Sequence, residues 1–226
     1  SLSDCPWAAC INLMDTHTPY TPSGGYDRWA SKEQRRFQDK IENFRWEFVG
    51  GTHSLDKLKW LENLYDGCIL EADEKVRRII SGLRQRNVLD NTLVVITGDH
   101  GEGFGERSCI RPNQPVVGHT VGIHETQLHV PLVVHTPTTL DRRTREIDAL
   151  ATLTGFPTVV RNTIEGTNSP EEGFIPKEKV LAAQPALSEQ DLEVAKSYGV
   201  QPESVSGKLQ AVYERDEDSV FKHMSW

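Results

Sequence analysis

The sequence predicts an α/β fold in which part of a parallel or mixed sheet is flanked by helices, with a small α+β subdomain at the C-terminal end. Apolar runs typical of buried strands alternate with one long amphipathic segment, and shorter helical and extended pieces follow beyond residue 150. We therefore expect a larger α/β domain over residues 1–150 and a subdomain with an antiparallel hairpin over residues 151–226. The expected buried strands are residues 7–14, 93–96 and 130–135.

The helices are predicted from charge and from spacing. Charged residues with interleaved aromatics predict a surface helix over residues 27–47. Residues 55–86 carry apolar side chains at spacings of three and four, which predicts an amphipathic helix with Ser54 as its cap. Further along, "FPTVVRNTIEG" and "LSEQDLEVAKSYG" predict helices, the second capped by Ser188. "EKVLAA" predicts a strand, and "GKLQAVYERDEDSVFKH" predicts a hairpin that turns at residues 216–218.

Composition excludes several classes of partner. A net charge of -8 repels phosphate backbones, so we expect no nucleic-acid partner. No apolar run approaches the roughly 20 residues that a membrane helix needs, so we expect no membrane span. The four cysteines lie at positions 5, 10, 68 and 109 without CxxC spacing, which favours reduced thiols and a cytoplasmic location.

Residues 94–106, "VVITGDHGEGFGE", place two polar side chains directly after a predicted buried strand. In open α/β sheets ligands bind at the carboxyl ends of strands, which is where Asp99 and His100 lie. A carboxylate and an imidazole together suit a divalent cation such as Mn, Zn, Mg or Ca. Two other interpretations are a simple strand-end turn with an exposed histidine and a nucleotide loop. The second fails because neither GxGxxG nor Gly-Lys-Ser/Thr occurs here.

Two further histidines fall near predicted strand ends. His17 follows the first expected strand and His119 precedes the third. With Asp99 and His100 they form the pattern of a metal-assisted phosphoryl or sulfuryl transfer site. A divalent ion with hard ligands needs about six donors, and the motif supplies two. Three strands also make a thin sheet, so we expect that an N-terminal half precedes this chain.

Three separated motifs within residues 7–137 resemble the sulfatases of the alkaline phosphatase superfamily. They are "INLMDTHTPY", "YDGCILEADEKVRRIISGLRQRNVLDNTLVVITGDHGEGFGE" and "HETQLHVPLVVHTP". The resemblance implies that Asp99 and His100 bind one divalent metal ion, Ca, Mn or Mg with Zn as an alternative, and that its other ligands lie upstream. It also implies that His17 touches the transferred group or the leaving group, and that His119 contacts the oxygens of the transferred group.

The departures from the family pattern leave the substrate open. Many members have Asn at the His100 position and Lys near the His119 position, and histidine at both leans toward enzymes acting on phosphate esters, phosphonate esters or alkyl sulfates. The family's Cys/Ser-x-Pro-Ser-Arg nucleophile motif does not occur. We therefore expect the C-terminal portion of a hydrolase of sulfate esters, inactive by itself and prone to self-association.

Two alternatives to a sulfate-ester hydrolase remain. The first is a phosphodiester or phosphonate monoester hydrolase, or a phosphoryl-headgroup transferase, of the same superfamily. The second belongs to another class, a non-catalytic domain that retains the fold. Under either enzymatic reading, the partner is a small-molecule sulfate or phosphate ester.

Overall fold

A computed structural model describes residues 6–111, 113–119, 121–137, 144–216 and 219–226. The helices in these ranges are α1 (Lys32–Gln38), α2 (Phe44–Val49), α3 (Leu58–Gln85), α4 (Glu125–Leu128), α5 (Phe156–Glu165), α6 (Glu189–Ser197) and α7 (Pro202–Val205). The strands are β1 (Val94–Thr97), β2 (Gly103–Arg107), β3 (Pro115–Gly118), β4 (Leu132–His135), β5 (Lys179–Gln184), β6 (Leu209–Asp216) and β7 (Ser219–Ser225).

The chain divides into two compact units. The first comprises Ser1–Asn43 and His53–Leu89, and the second comprises Phe44–Thr52 and Asp90–Trp226. The division predicted at residue 150 falls inside the second unit and stays a prediction. No helix in the described ranges is long and apolar enough to cross a membrane.

The first unit is built on the 28-residue helix α3, which confirms the predicted amphipathic helix. A single 3-10 turn, Leu55–Lys57, precedes it, and the hydroxyl of Ser54 bonds to the Asp56 carboxylate rather than to a backbone amide. The apolar face of α3 buries Leu58, Leu61, Leu64 and Cys68. Removing this stripe from water stabilises the unit, because each buried leucine contributes about 2 kcal/mol.

The single helix predicted over residues 27–47 is wrong in its extent. The structure has α1 and α2 instead, and they belong to different units. Backbone amides of Lys40 and Ile41 bond to carbonyls three residues earlier, which tightens and ends α1. Ser31 begins α1 with a capping box closed by Gln34.

The strand predicted over residues 7–14 is also wrong. Residues 6–14 are irregular and mostly exposed, including Ile11 at 60%. An apolar run predicts burial, but a strand also needs a neighbour to accept its backbone hydrogen bonds, and no described strand pairs with this segment. Self-association of the chain stays a prediction.

The second unit holds the strands, and the molecule is of the mixed α/β class that the sequence predicts. The runs expected at 93–96 and 130–135 are strands β1 and β4, but they pair antiparallel, Val94 opposite His135, rather than parallel. Among the described residues, their connection contains the hairpin β2–β3 and the one-turn helix α4, with no long crossover helix of the kind that parallel neighbours require.

The C-terminal elements match the sequence prediction closely. Helix α5 ends at Gly166, whose φ of +74° is the left-handed cap that glycine adopts without strain. Ser188 begins α6 in a capping box with Asp191. Strands β5, β6 and β7 form one antiparallel sheet, in which the hairpin β6–β7 is confirmed. Residues 217 and 218 of its predicted turn lie outside the described residues.

Candidate metal and ester site

The end of β1 presents Asp99 and His100 to solvent. The Asp99 side chain is 91% exposed, and its Oδ1 accepts a hydrogen bond from the His100 amide at 3.1 Å. The His100 Nε2 lies 3.8 Å from the same Oδ1. His100 Nδ1 lies 2.9 Å from the carbonyl oxygen of Gly101. Because a carbonyl only accepts, Nδ1 carries the hydrogen and Nε2 of the neutral ring keeps its lone pair.

His119 packs directly on His100. The two imidazole rings are stacked, with centroids 3.8 Å apart and planes inclined by 21°. Nδ1 of His119 lies 3.2 Å from Oε1 of Glu102, whose side chain is only 5% exposed. Sequence reasoning found His119 but missed Glu102, although Glu102 lies inside the glycine-rich motif.

The register of the hairpin β2–β3 explains why these residues meet. Gly103 and Gly118 are paired across the two strands, so the residue before the first and the residue after the second lie side by side. Those residues are Glu102 and His119. Residues 17 positions apart in sequence are therefore brought together by a short antiparallel ladder.

Gly101 of the motif and Gly118 at the end of β3 shape the backbone beside these histidines. A Cβ at position 101 would overlap the carbonyl oxygen of Thr126, and the Gly101 amide donates to the Gln127 carbonyl at 2.8 Å. Gly118 has a φ of +71°, a conformation that favours glycine. The glycine at 101 therefore lets two backbones approach closely.

A buried glutamine holds the loop that carries His119. The Gln127 side chain donates from Nε2 to the Gly118 carbonyl at 2.9 Å and accepts from the His124 amide at 3.2 Å. His124 itself begins α4, because its Nδ1 accepts from the Thr126 amide. These bonds fix the backbone on both sides of the loop.

The same loop is tied to the C-terminal sheet through Glu125. Its Oε1 accepts from Lys222 Nζ at 2.7 Å and from the Tyr213 hydroxyl at 2.9 Å. Burial works to raise the pKa of Glu125, but the two donors outweigh it and lower that pKa. Burial, followed by the bond to Glu125, raises the pKa of Tyr213.

His17 belongs to the first unit, whereas Asp99, His100 and His119 belong to the second. His17 is exposed, and its Nδ1 lies 2.7 Å from the carbonyl oxygen of Thr18. Three residues later Tyr20 is fully buried, and the Gln38 side chain bonds both its amide, at 2.9 Å, and its carbonyl, at 2.7 Å.

A cleft of about 420 Å³ in the first unit was not predicted. Its lining includes the ion pair of Asp15 with Lys75, and also Glu71 and Cys68, but not His17. Burial raises the pKa of the Cys68 thiol to about 11, so this thiol stays protonated and is a poor nucleophile at neutral pH.

The donor chemistry at the end of β1 fits a divalent ion, but the number of donors is small. A carboxylate oxygen and an imidazole nitrogen are ordinary ligands of such ions. Within the part of the chain that the structure describes, no group of three or more His, Cys, Asp or Glu is arranged to hold a metal. Asp99 and His100 therefore have the chemistry of two ligands of a divalent ion, which is only part of a coordination shell.

Comparison with known proteins now identifies the family. A sequence profile described as Sulfatase matches residues 2–161. The chain belongs to the sulfatase family. It is 27% identical over 109 residues to an arylsulfatase of Clostridium perfringens (strain 13 / Type A), a match that covers 48% of this chain and 20% of that protein. It is 26% identical over 88 residues to the multifunctional alkaline phosphatase superfamily protein PehA of Trinickia caryophylli, covering 39% and 16% respectively.

Solved structures of the superfamily share the fold of this sulfatase-family chain. The phosphonate monoester hydrolase of Agrobacterium radiobacter superimposes with a TM-score of 0.52 at 22% identity, covering 74% of this chain and 33% of that one. The phosphonate monoester hydrolase SpPMH from Silicibacter pomeroyi gives a TM-score of 0.50 at 16% identity, covering 98% and 44%. At these identities the likeness shows the fold, and the chain matches less than half the length of each of these proteins.

Proposed function

We propose that the protein carrying this chain is a metal-dependent hydrolase that cleaves sulfate esters of small molecules. The observation that carries the proposal is the convergence of Asp99, His100 and stacked His119 at the end of β1 in a chain of the sulfatase family. In this proposal Asp99 and His100 bind the metal and His119 contacts the ester, and the contact of His17 with the transferred group or the leaving group stays a prediction of the family resemblance.

The residues present are suited to these roles by exposure and orientation. The Asp99 carboxylate faces solvent, and the Gly101 carbonyl fixes the hydrogen of His100 on Nδ1, so the carboxylate and Nε2 of His100 both keep lone pairs for a metal. A bound divalent ion would offset negative charge on the ester oxygens. Calcium, magnesium or manganese suits the carboxylate, and zinc suits the imidazole, so we propose one divalent ion of this set.

A second candidate is hydrolysis of phosphonate monoesters or phosphodiesters. His100 and His119 favour it, because the family resemblance implies Asn at the first position and Lys near the second in many sulfatases. The relative PehA is described as multifunctional, and the two solved neighbours are phosphonate monoester hydrolases. The two candidates share the metal and histidine roles and differ in the group transferred.

The test measures hydrolysis of an aryl sulfate, an aryl phosphonate monoester and a phosphodiester by the protein that carries this chain. We expect the aryl sulfate to have the highest kcat/KM, with activity lost on chelation and restored by a divalent ion. A higher kcat/KM for the phosphonate or phosphodiester would replace the first candidate by the second. No turnover of any ester would support a non-catalytic domain.

A substitution at Asp99 tests the site itself. Asp99→Asn should lower metal affinity and turnover together by about 100-fold, because it removes a charged ligand. The control is His223→Gln, since His223 is exposed on β7, in the C-terminal sheet. Unchanged metal affinity and turnover in Asp99→Asn would show that Asp99 and His100 form only a strand-end turn.

A further inference from the structure

The buried carboxylate of Glu102 has no role in the proposed site so far. We propose that Glu102 is the positioning residue of His119, fixing the hydrogen of its ring on Nδ1 and the orientation of the ring against His100. The proposal rests on the proposed function, in which His119 contacts the ester. Glu102 itself touches neither metal nor ester, so it acts through His119.

The direction of the hydrogen bond sets the tautomer. A carboxylate oxygen accepts, so the hydrogen in the 3.2 Å contact between Glu102 and His119 lies on Nδ1 of the ring. Nε2 of the neutral ring then keeps its lone pair. His100 reaches the same tautomer through the Gly101 carbonyl. The two stacked rings are therefore matched, each with Nδ1 bonded to an oxygen of the chain.

A nearby cation stabilises the buried carboxylate. A Cβ placed on Gly118 would lie 3.5 Å from Oε1 of Glu102 and 3.9 Å from Nε of Arg45, so both groups flank this glycine. Arg45 Nε is buried and has no hydrogen-bond partner in the described ranges. Burial lowers the pKa of Arg45, against the opposing charges of Asp191 and Glu102. The charge of Arg45 and the contact with His119 thus both act on Glu102, which offsets the cost of burying its charge.

The loop backbone has an anchor of its own. Gln127 holds the Gly118 carbonyl through its side chain and the Gly101 amide through its backbone carbonyl. Loss of the Glu102 carboxylate should therefore release the ring of His119 and leave the loop in place. A merely structural role for Glu102 predicts the opposite, a loop that loosens as a whole.

The first measurement is the tautomer of His119 by ¹⁵N NMR of the histidine-labelled protein at about pH 8.5, where imidazoles are mostly neutral. The His119 signals are assigned by their loss in His119→Gln. We expect Nε2 to be the unprotonated nitrogen in the wild type. Glu102→Ala should move the hydrogen to Nε2 in a large fraction of molecules, whereas Glu102→Gln, which retains an acceptor oxygen, should largely preserve the wild-type signals.

The control is Glu106→Gln on β2, whose carboxylate accepts from the Phe104 amide rather than from a histidine. It should leave the His119 signals unchanged. An unchanged His119 tautomer in Glu102→Ala would overturn the proposal. If Glu102→Ala does not fold, Glu102→Leu, which also offers no acceptor, takes its place: a shift of the hydrogen to Nε2 supports the proposal, and an unchanged tautomer overturns it.

The second measurement separates this proposal from the proposed function. Glu102→Ala should lower kcat/KM for ester hydrolysis by about 10- to 100-fold, and Glu102→Ala combined with His119→Gln should fall no further than His119→Gln alone. Additive losses would show that Glu102 acts independently of His119. A tautomer change with no loss of activity in either variant would leave the positioning intact and remove His119 from the proposed site.

Discussion

The two loops that carry the proposed ester-contacting histidines are each held by one buried glutamine, but the rings they present are held differently. Gln38 bonds the amide and carbonyl of Tyr20 near His17, and Gln127 bonds backbone groups on both sides of His119. Nδ1 of His17 lies 2.7 Å from the carbonyl oxygen of the next residue, Thr18, whereas Nδ1 of His119 lies 3.2 Å from the buried Glu102 carboxylate, and the His119 ring also stacks on His100. The difference teaches that fixing a loop backbone and fixing the histidine ring it carries are separate tasks.

The largest expected effect comes from removing the rings themselves. His119→Gln and His17→Gln in the protein that carries this chain should each lower kcat/KM for ester hydrolysis by about 100-fold, the size typical of a proton donor or of one charge-stabilising contact. Steady-state kinetics with the preferred ester measure the loss. A wild-type rate in His17→Gln would contradict this prediction, and the loop of His17 would then not be comparable with the loop of His119 as a carrier of a catalytic ring.

The next largest expected effect is the loss of stability when the side chain of Gln38 or Gln127 is removed. Gln38→Ala and Gln127→Ala each remove a buried side chain that bonds two backbone groups, and we expect each to lower the free energy of unfolding by about 3 kcal/mol. Urea denaturation measures this loss. Gln210→Ala, at an exposed position of β6, is the control and should change stability by less than about 0.5 kcal/mol. If Gln127→Ala lowered the free energy of unfolding no more than the control does, the contacts of Glu125 alone would hold the loop that carries His119.

A smaller effect distinguishes backbone strain from crowding of the Glu102 carboxylate. Gly118 and Gly166 have nearly the same φ, +71° and +74°, but only at Gly118 would a Cβ meet Glu102. Gly118→Ala and Gly166→Ala should each lower the free energy of unfolding by about 1–2 kcal/mol through strain. The ¹⁵N signals of His119 should change in Gly118→Ala alone, and a change in both variants would contradict a local effect.

The smallest expected effect is the pH dependence of stability that arises from Glu125, beside the loop that carries His119. Its pKa is lower in the folded protein than the ordinary value of 4.5, so it contributes stability above that value that is lost as the pH falls through the folded pKa. Because the side chain is 53% exposed, we expect less than about 1 kcal/mol.

The measurement compares the unfolding free energies of wild type and Glu125→Gln from pH 7 down to acid. The difference should be present at pH 7 and shrink below about pH 4.5. Glu203→Gln, at an exposed position, removes the same charge and should show no such convergence. A constant difference at all pH values would show that the carboxylate acts by shape and not by charge.

The sequence alone determined the elements whose signal is local. The stripe of α3, the capping box at Ser188, the left-handed end of α5 and the hairpin β6–β7 all follow from residues within a few positions of one another. The same is true of Asp99 and His100, which are marked by their place after an apolar strand. Local spacing and capping chemistry suffice for such features.

Only the tertiary structure decided which groups meet. The apolar run at residues 7–14 predicts burial, yet it finds no strand partner among the described residues, while the similar run at 94–97 pairs antiparallel with β4. In the sequence, Glu102 is not distinguished from other polar residues of a glycine-rich loop. The register of β2 and β3 places it beside His119. Strand partners and buried charge pairs depend on residues distant in sequence, and no local pattern encodes that pairing.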